Sequence, residues 1–544
     1  MSGIDYCGTN HVIWSAPVYD LSEWRLDGTI IDLTEEGGNP FNAFKLYAPD
    51  SEYDVTTDQY FLIDNEIGGT CSLRSTDNPA GLYDTNQVLW EIPSGCSFDP
   101  AIYIEDRTIY ILTSSGTRSL ATEENKEIFG PYGVDEVIAQ TTQDGYHTDS
   151  GYNSVLTLYQ LKKEDSSNDG LEYSIADVSF CPIDEKAYFP IYEGPSLPGY
   201  IEELGKYVLL AVTYEIGYDG TGHNSGIGYA WTDDLMNGEW HYGENGVDDI
   251  LSEEKYPEMA AVLKEDSGSL RGRHGNVISD TSGRYQINPE TQEMEFTEMP
   301  TYLHGNNHGG IVKANGEWYF FGHRQTDTNR YSREACGGKI TVSVSENGEP
   351  IITPMEFTSS GVADSLDAYT IWDADTTTYL RESLNTPAKT MEPNQATSFT
   401  DADAETVPYI IANRFKDWVH ATYITNLSNE NIVGYKYLDF GNDITNVTLK
   451  MLLSRPRGGV DGKVQVFLDS PDPSKGNLLT ELEINEESFT GTPTATGSDG
   501  TNWNWISADS MDAIDGVHAV YFVFSSEEEG TICKFDQFGF EVKK

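Results

Sequence analysis

Residues 188–195 read Tyr-Phe-Pro-Ile-Tyr-Glu-Gly-Pro and place one carboxylate, Glu193, among apolar and aromatic neighbours. The Gly-Pro pair after it breaks regular structure and lets a backbone or a ligand approach closely. Burial raises the pKa of a carboxyl group because its charged form loses hydration. A carboxylic acid that keeps its proton near neutral pH can protonate the leaving oxygen of a glycoside. Taken alone, the stretch also fits a glutamate at a strand edge before a turn.

The stretch is one copy of a unit that occurs four times. In each copy a polar residue beside Pro or Gly precedes a segment of Tyr and apolar residues by 10 to 14 positions, the length of one strand-turn-strand hairpin. The polar residues are Asp50, Asp99, Glu193 and His308, and the segments are 59–62, 109–112, 206–209 and 318–321. Such repeats are typical of propeller blades, whose first strands line a central channel. The pattern predicts one axial pocket that contains all four polar residues; four unrelated hairpins are the alternative.

Three motifs in this order resemble glycoside hydrolase family 43. They are Phe98-Asp99-Pro100, Tyr192-Glu193-Gly194-Pro195, and the run from 305 to 310 that continues into 318–324. The resemblance covers about residues 1–380 of the chain. It implies a five-bladed β-propeller that hydrolyses glycosidic bonds of xylans, arabinans and their side chains, with inversion at the anomeric carbon.

The resemblance also implies roles for individual residues. Glu193 is expected to be the general acid, and Asp99 the carboxylate that orients this acid and tunes its pKa. His308 matches an axial histidine near a bound calcium, with a hydrogen-bonded histidine as the alternative. Arg324 matches a pocket arginine, with an ion pair as the alternative. Asp50 and Asn307 complete the set of expected substrate-binding residues in the propeller.

Five blades need five axial strands, and the repeat supplies four. The family's base aspartate precedes a strand that comes before the segment matching 14–17, and neither Asp5 nor Asp20 occupies that position. The sequence therefore predicts a propeller whose first strand is truncated, low activity for this chain, and Asp50 or Asp5 as a substitute base. The same loss would remove a signal peptide. Localisation stays open, and secretion is expected if the N terminus is truncated.

Composition narrows the range of partners. The chain has 33 Lys and Arg against 89 Asp and Glu, and its net charge of −56 argues against nucleic acid and anionic membranes as partners. No apolar run approaches the roughly 18–20 residues of a membrane span. The six cysteines contain no CxxC pair, which argues against a zinc site; most are expected to be buried thiols, although Cys71 and Cys96 could pair. A neutral glycan substrate and no organic cofactor fit this composition.

The pattern changes near residue 385. The segment 385–408 is rich in Thr, Ala, Pro and Asp and is typical of a linker. Beyond it, apolar and polar residues alternate in 447–451, 463–467 and 518–524, which predicts a β-sandwich of the jelly-roll kind. The predicted organisation is therefore a propeller over 1–384, a linker over 385–408 and a sandwich over 409–544.

The second domain is similar to carbohydrate-binding module family 6 in the stretches 434–437, 466–471, 502–505, 516–518 and 535–538. The resemblance implies a Trp and a Tyr that flank a sugar ring, and the candidates are Trp503, Trp505, Tyr435 and Tyr437. Trp503 and Tyr435 are the expected binding residues, and Trp505 is expected in the core. Asp536 matches a calcium ligand of the family. The alternative is that all these aromatic side chains are core residues.

The sequence is compatible with two functions for this chain. The first is an inverting hydrolase of the β-xylosidase or α-L-arabinofuranosidase kind that acts on hemicellulose. The second is a glycan-binding protein without catalysis, because the strand that carries the base is not found. The absent strand is the feature that separates the two.

Overall fold

The computed structural model describes most of the chain. The described residues are 10–21, 23–33, 45–67, 71–81, 83, 88–143, 154–164, 172–183, 187–188, 194–216, 222–241, 277–280, 285–287, 294–296, 308–328, 332–346, 348–352, 358–384, 402–412, 422–497, 500–511 and 514–542. Glu193, Asn307, Asp5 and most of the predicted linker lie outside these ranges.

The first part of the chain forms small antiparallel sheets, each built from consecutive strands. A hairpin of β1 (Asn10–Ser15) and β2 (Arg25–Asp32) comes first. A four-stranded sheet follows, with β3 (Lys45–Asp54), β4 (Gln59–Ile67), β5 (Ser72–Thr76) and β6 (Trp90–Glu91). The next consists of β7 (Ala101–Glu105), β8 (Thr108–Gly116), β9 (Ser154–Lys163) and β10 (Tyr173–Ser179).

The remaining sheets of this part continue the series. A pair, β11 (Pro182–Ile183) and β12 (Ala187–Tyr188), precedes the third four-stranded sheet. That sheet contains β13 (Ser196–Ile201), β14 (Lys206–Ile216), β15 (Gly222–Thr232) and β16 (Val277–Asp280). The next pair is β17 (Tyr285–Ile287) and β18 (Met294–Phe296). A three-stranded sheet follows, with β19 (Gly309–Ala314), β20 (Glu317–Gln325) and β21 (Arg333–Ile340). The last pair is β22 (Val342–Val344) and β23 (Pro350–Ile352).

The first strands of the larger sheets lie next to one another. Strand β3 contacts β7, β7 contacts β13, β13 contacts β19, and β1 contacts β3. Trp24, just before β2, meets Phe321 of β20 edge to face at 5.7 Å, so the first hairpin also contacts the last large sheet. This arrangement confirms the predicted propeller, in which first strands line the axis. The count of five blades stays a prediction.

Tight turns explain why each inner hairpin closes where it does. The β7–β8 loop is Asp106-Arg107, and both residues have positive φ, 47° and 70°. The β19–β20 loop, Asn315-Gly316, has φ values of 51° and 84°. Two-residue loops with positive φ at both positions match the right-handed twist of the strands they join. In these two hairpins, the polar residue before the first strand therefore lies one strand away from the turn.

A helical insertion interrupts the second four-stranded sheet between β8 and β9. It consists of α1 (Thr117–Leu120), α2 (Glu123–Phe129), a 3-10 turn at Gly130–Tyr132 and α3 (Val134–Gln143). The Thr122 side chain caps α2, and Glu123 and Glu124 favour its first turn. Leu120, Phe129, Val134 and Val137 are buried in one cluster with Trp90 and Tyr159. The sequence pattern did not predict this insertion.

The second domain is a sandwich of two sheets, as predicted. One has the order β24-β29-β35-β31-β32 with β26 beside β29, and the other β27-β28-β36-β30-β34-β33 with β25 beside β36. The strands are β24 (Leu366–Asp367), β25 (Trp372–Asp373), β26 (Tyr379–Arg381), β27 (Tyr409–Ala412), β28 (Thr422–Leu427), β29 (Ile432–Asp439), β30 (Val447–Ser454), β31 (Gly462–Leu468), β32 (Asn477–Ile484), β33 (Ala495–Thr496), β34 (Asn502–Ser507), β35 (Val517–Ser525) and β36 (Cys533–Val542). Aromatic rings of the two sheets meet between them, for example Tyr435 and Phe538 at 4.2 Å.

The boundary between the domains differs from the prediction. Strands β24, β25 and β26 pair with β29 and β36, so the segment from Leu366 to Arg381 belongs to the sandwich rather than to a propeller ending at 384. A single cluster of buried apolar residues also runs from Phe320 and Ile340 of the last large propeller sheet to Leu380 and Ile410 of the sandwich. The two domains therefore share a core, which a flexible linker would not produce.

The cysteines and the helices of the described part of the chain bear on two further expectations, buried thiols and membrane spans. Cys71, Cys96, Cys181, Cys336 and Cys533 are buried free thiols, as the sequence predicted for most of the cysteines. None of the described helices has the length and apolar character needed to cross a bilayer.

Candidate active site

Asp99 lies at the centre of the predicted axial site. It precedes β7, is only 4% exposed, and has a φ of 50°, which is uncommon for a residue other than glycine. Its Oδ2 accepts a hydrogen bond from the backbone N–H of Gly194 at 3.2 Å and lies 3.2 Å from Nε2 of His308. Two of the four repeat positions, Asp99 and His308, therefore meet at one carboxylate, together with Gly194, which follows Glu193 in sequence.

Gly194 fixes the place of the candidate acid relative to Asp99. Its φ of 59° is in the left-handed region, where a side chain is disfavoured, and this explains glycine before Pro195. Glu193 is outside the described residues, but it is bonded to Gly194, and consecutive Cα atoms are about 3.8 Å apart. The residue that follows the candidate acid in sequence is thus hydrogen-bonded to Asp99.

His308 faces the same carboxylate from the start of β19. Its ring lies 5.7 Å from that of His323 in β20. Among the described residues, no group of three His, Cys, Asp or Glu side chains could hold a metal ion. The 3.2 Å contact of its Nε2 with Asp99 is an ion pair when His308 is protonated, and a role of His308 near a metal stays a prediction.

Asp50 joins two axial strands. Its Oδ2 accepts a hydrogen bond from the backbone N–H of Ile102 in β7 at 2.9 Å, three residues beyond Asp99, and its Oδ1 accepts from Ser51 at 2.9 Å. Burial of the carboxyl group raises the pKa of Asp50 to about 6. Burial, and then the charge of Asp50, raises the pKa of Glu52 to about 7. Two carboxylates that titrate near neutrality therefore lie on β3.

Hydroxyl groups at the end of β8 hold the segment that carries Asp99. Thr113 Oγ1 accepts from the backbone N–H of Phe98 at 2.9 Å and donates to its carbonyl at 3.0 Å. Ser115 Oγ donates to the carbonyl of Cys96 at 2.9 Å. The phenyl ring of Phe98 is exposed beside Asp99. This role of Thr113 and Ser115 was not predicted from the sequence. Two hydroxyl residues at the end of an otherwise apolar strand could have indicated it.

Arg324 is not in a position to contact a substrate. Its side chain is 0% exposed and pairs with Glu334 of the neighbouring strand at 2.9 Å. It also donates to the carbonyl of Thr377 at 2.5 Å and to that of Asp375, both in the second domain. The expectation of a pocket arginine is therefore corrected, and the alternative of an ion pair holds. Arg324 joins the propeller to the sandwich.

The aromatic residues of the sandwich also differ from expectation. Trp503 is 0% exposed and packs with Tyr423 and Leu452, and Tyr435 is buried between the sheets with its hydroxyl on the carbonyl of Ala374. Both expected sugar-binding residues are thus core residues. Trp505, expected in the core, is only partly buried, and Lys450 Nζ lies 4.9 Å from its ring centre. Tyr437 is 41% exposed.

Asp536, the expected calcium ligand, is buried in β36. Burial, and then the charge of Asp373, raises the pKa of Asp536 to about 8. The Asp373 carboxylate accepts a hydrogen bond from Gln537 at 2.7 Å. A bound cation would relieve the repulsion between these two carboxylates, so the pair is compatible with calcium. Calcium takes six to eight oxygen ligands, and the others would be backbone carbonyls, amides or water.

Comparisons with known proteins found chains that are similar to this one. No family model matches the chain. A xylosidase/arabinosidase of Thermoclostridium stercorarium is 25% identical over 544 residues, which covers 98% of this chain and 91% of that protein. A family 43 arabinoxylan arabinofuranohydrolase from Bacillus subtilis, solved with cellotetraose, matches 98% of this chain and 88% of its own at 17% identity and a TM-score of 0.38. A family 6 carbohydrate-binding module matches 33% of this chain and 99% of its own at 22% identity and a TM-score of 0.21.

Proposed function

We propose that this chain is a glycoside hydrolase of the xylosidase and arabinosidase kind, with a family 43-like propeller and a family 6-like sandwich. It hydrolyses glycosidic bonds in plant hemicellulose with inversion. Relatedness to a xylosidase/arabinosidase over nearly the whole chain supports this proposal. The structural observation that carries it is the convergence of Gly194 and His308 on Asp99.

Glu193 donates the proton to the leaving oxygen in this mechanism. Asp99 is nearly buried, and its negative charge beside the acid favours the protonated form of Glu193. Gly194 N–H and His308 contact the Asp99 carboxylate and fix its orientation before the substrate arrives. General acid catalysis of this kind typically contributes about 10²–10⁴-fold to the rate.

Asp50 is the base candidate that the described residues offer. An inverting enzyme holds its two carboxyl groups about 6.5–9.5 Å apart to admit the attacking water. Asp50 is tied to β7 just beyond Asp99, and with a pKa of about 6 it is mostly ionised at neutral pH. It can therefore accept a proton from water in this proposal.

The substrate is a neutral glycan. A chain with a net charge of −56 repels acidic polymers, whereas xylose and arabinose residues carry no charge. The exposed ring of Phe98 beside Asp99 offers a stacking surface for a sugar. In the sandwich, the accessible rings of Trp505 and Tyr437 take over the binding role first assigned to Trp503 and Tyr435.

Calcium has a structural role in this proposal. Asp536 and Asp373 are the residues that would hold the ion, which would supply positive charge beside their carboxyl groups. No step of the reaction depends on it.

The test is the variant Glu193→Gln, assayed on xylo-oligosaccharides and on nitrophenyl glycosides. Loss of the acid should lower kcat/KM on the oligosaccharides by about 10²–10⁴-fold, and less on nitrophenyl substrates, whose leaving group needs little protonation. Equal losses on both substrates, or no loss on either, would show that Glu193 is not the acid. A wild-type chain that binds xylan without turnover would instead favour the non-catalytic alternative.

A further inference from the structure

Residues 94–98, which precede Asp99, are contacted from two sides by other parts of the propeller. On one side, Thr113 and Ser115 of β8 bind the backbone of Phe98 and Cys96. On the other side lies the helical insertion Thr117–Gln143, which continues directly from β8. The inner hairpin places the end of β8 at the same end of the sheet as Asp99, because β7 and β8 are antiparallel. The insertion therefore lies at the end of the propeller where the carboxylates converge.

Asn125 makes the contacts from the insertion. Its side chain is in α2 and is buried, at 2% exposed. Its Nδ2 donates to the carbonyl of Ser94 at 3.0 Å, to the carbonyl of Ser119 at 2.8 Å, and to Cys96 Sγ at 3.2 Å. One amide thus joins the end of α1 to the start of the segment that leads to Asp99.

The same insertion reaches the approach to the candidate acid. Helix α3 lies against β12, Ala187–Tyr188. The chain passes from β12 through 189–193 to Gly194, whose N–H binds Asp99. The apolar residues Phe129, Val134 and Val137 connect α2 and α3 into one packed unit. A displacement of this unit would therefore affect the segments before both Asp99 and Glu193.

We propose that the helical insertion positions the acid and its partner carboxylate relative to each other, and that Asn125 is the positioning residue through which it holds Asp99. This inference rests on the proposed function. Asn125 does not touch the reacting atoms; it acts through the backbone of 94–98.

The consequence concerns proton transfer more than substrate binding. Without the Asn125 amide, the 94–98 segment relaxes and the Asp99 carboxylate moves away from the acid. The acid then ionises at lower pH, so the alkaline limb of the plot of kcat/KM against pH shifts to lower pH. Substrates with poor leaving groups need the proton most, and they should lose the most activity.

The experiment compares Asn125→Ala with a matched control, Phe129→Leu, in the full chain. Phe129→Leu loosens the same insertion through its apolar core without removing a hydrogen bond. Asn125→Ala should lower kcat on an alkyl xyloside by about 10-fold or more relative to nitrophenyl xyloside, and should move the alkaline limb. Phe129→Leu should lower the melting temperature and change both quantities much less than Asn125→Ala does, because the Asn125 hydrogen bonds to Ser94 and Cys96 stay in place. Asn125→Asp keeps the volume, removes the donors, and serves as a second variant should the alanine variant fold poorly.

Hydrogen exchange gives a readout independent of activity. Asn125→Ala should raise amide exchange in peptides covering 94–101 and 187–196, and should raise it more than Phe129→Leu does. Unchanged exchange there, with an unchanged pH profile and leaving-group ratio, would overturn the positioning role. Asp99→Asn, measured alongside, separates the two proposals. If it alters the pH profile and Asn125→Ala does not, the inference fails; if Asp99→Asn also has no effect, the proposed function fails.

Discussion

The axial site and the sugar-binding face of the sandwich were predicted from the same kind of sequence motif, but the structure treats them differently. In the propeller, the predicted residues Asp99 and His308 meet, together with Gly194, and the position of Glu193 stays a prediction. In the sandwich, the two residues expected to bind sugar, Trp503 and Tyr435, are buried, and their neighbours Trp505 and Tyr437 are accessible. The difference lies in what decides the position of each side chain.

A polar residue at the start of a blade is placed by topology alone. Each first strand lines the axis, so a residue just before it reaches the centre whatever its distant neighbours are. The exposure of an aromatic residue in a sandwich depends on what covers it. Tyr423 and Leu452 come from other strands and cover Trp503, which is paired with Ala495. A register shift in β29 between Tyr435 and Leu438 separates the environments of Tyr435 and Tyr437.

The largest expected effect concerns the domain boundary. A fragment of residues 409–544 lacks β24–β26 and the buried side chains Leu366, Tyr379 and Leu380. Burial of each large apolar side chain contributes roughly 1.5–3 kcal/mol, so their loss approaches the whole stability of a typical domain. The fragment 409–544 should show no cooperative melting by circular dichroism, whereas 360–544 should melt cooperatively. Equal melting of both fragments would restore the boundary predicted from the sequence.

A second change sharpens the contrast within the sandwich. Trp503→Ala should destabilise the chain by about 3–5 kcal/mol, since it opens a cavity in a covered cluster. Trp505→Ala should leave the melting temperature nearly unchanged and reduce retardation on soluble xylan in affinity electrophoresis. Both are measured in a Glu193→Gln background, so that the polymer is not degraded. If instead Trp503→Ala were stable and were the variant that loses xylan binding, Trp503 would be the sugar-binding residue, as the sequence predicted.

The acidic pair of the sandwich gives a smaller effect that depends on pH. The pKa of Asp536 is raised from 3.8 to about 8 in the folded chain, so the folded state binds the proton more tightly than the unfolded state. Its contribution to stability is therefore greatest below about pH 4 and is lost as pH rises towards 8. Asp536→Asn should remove this dependence from the melting temperature, and millimolar calcium should offset it at pH 8 in the wild type only. A wild-type melting curve with no such difference from the variant would contradict the pairing with Asp373.

Much of the architecture was predictable because it repeats. The propeller, the sandwich, the convergence on Asp99 and relatedness to xylosidases and arabinosidases all follow from motifs of a few residues. The helical insertion was missed because its helices are short and its apolar residues, such as Phe129 and Val134, are covered by strands from elsewhere in the chain. Arg324 was misplaced because its partners Asp375 and Thr377 are about fifty positions away.

The most direct test of the central claim is the configuration of the first product. Proton NMR of the reaction mixture shows which anomer of the free sugar forms before mutarotation. If Glu193 acts as acid beside Asp99 while a separate carboxylate activates water on the opposite face, a β-xyloside should release α-xylose first, or an α-arabinofuranoside the β-anomer. First release of the anomer with the substrate's own configuration would contradict the account.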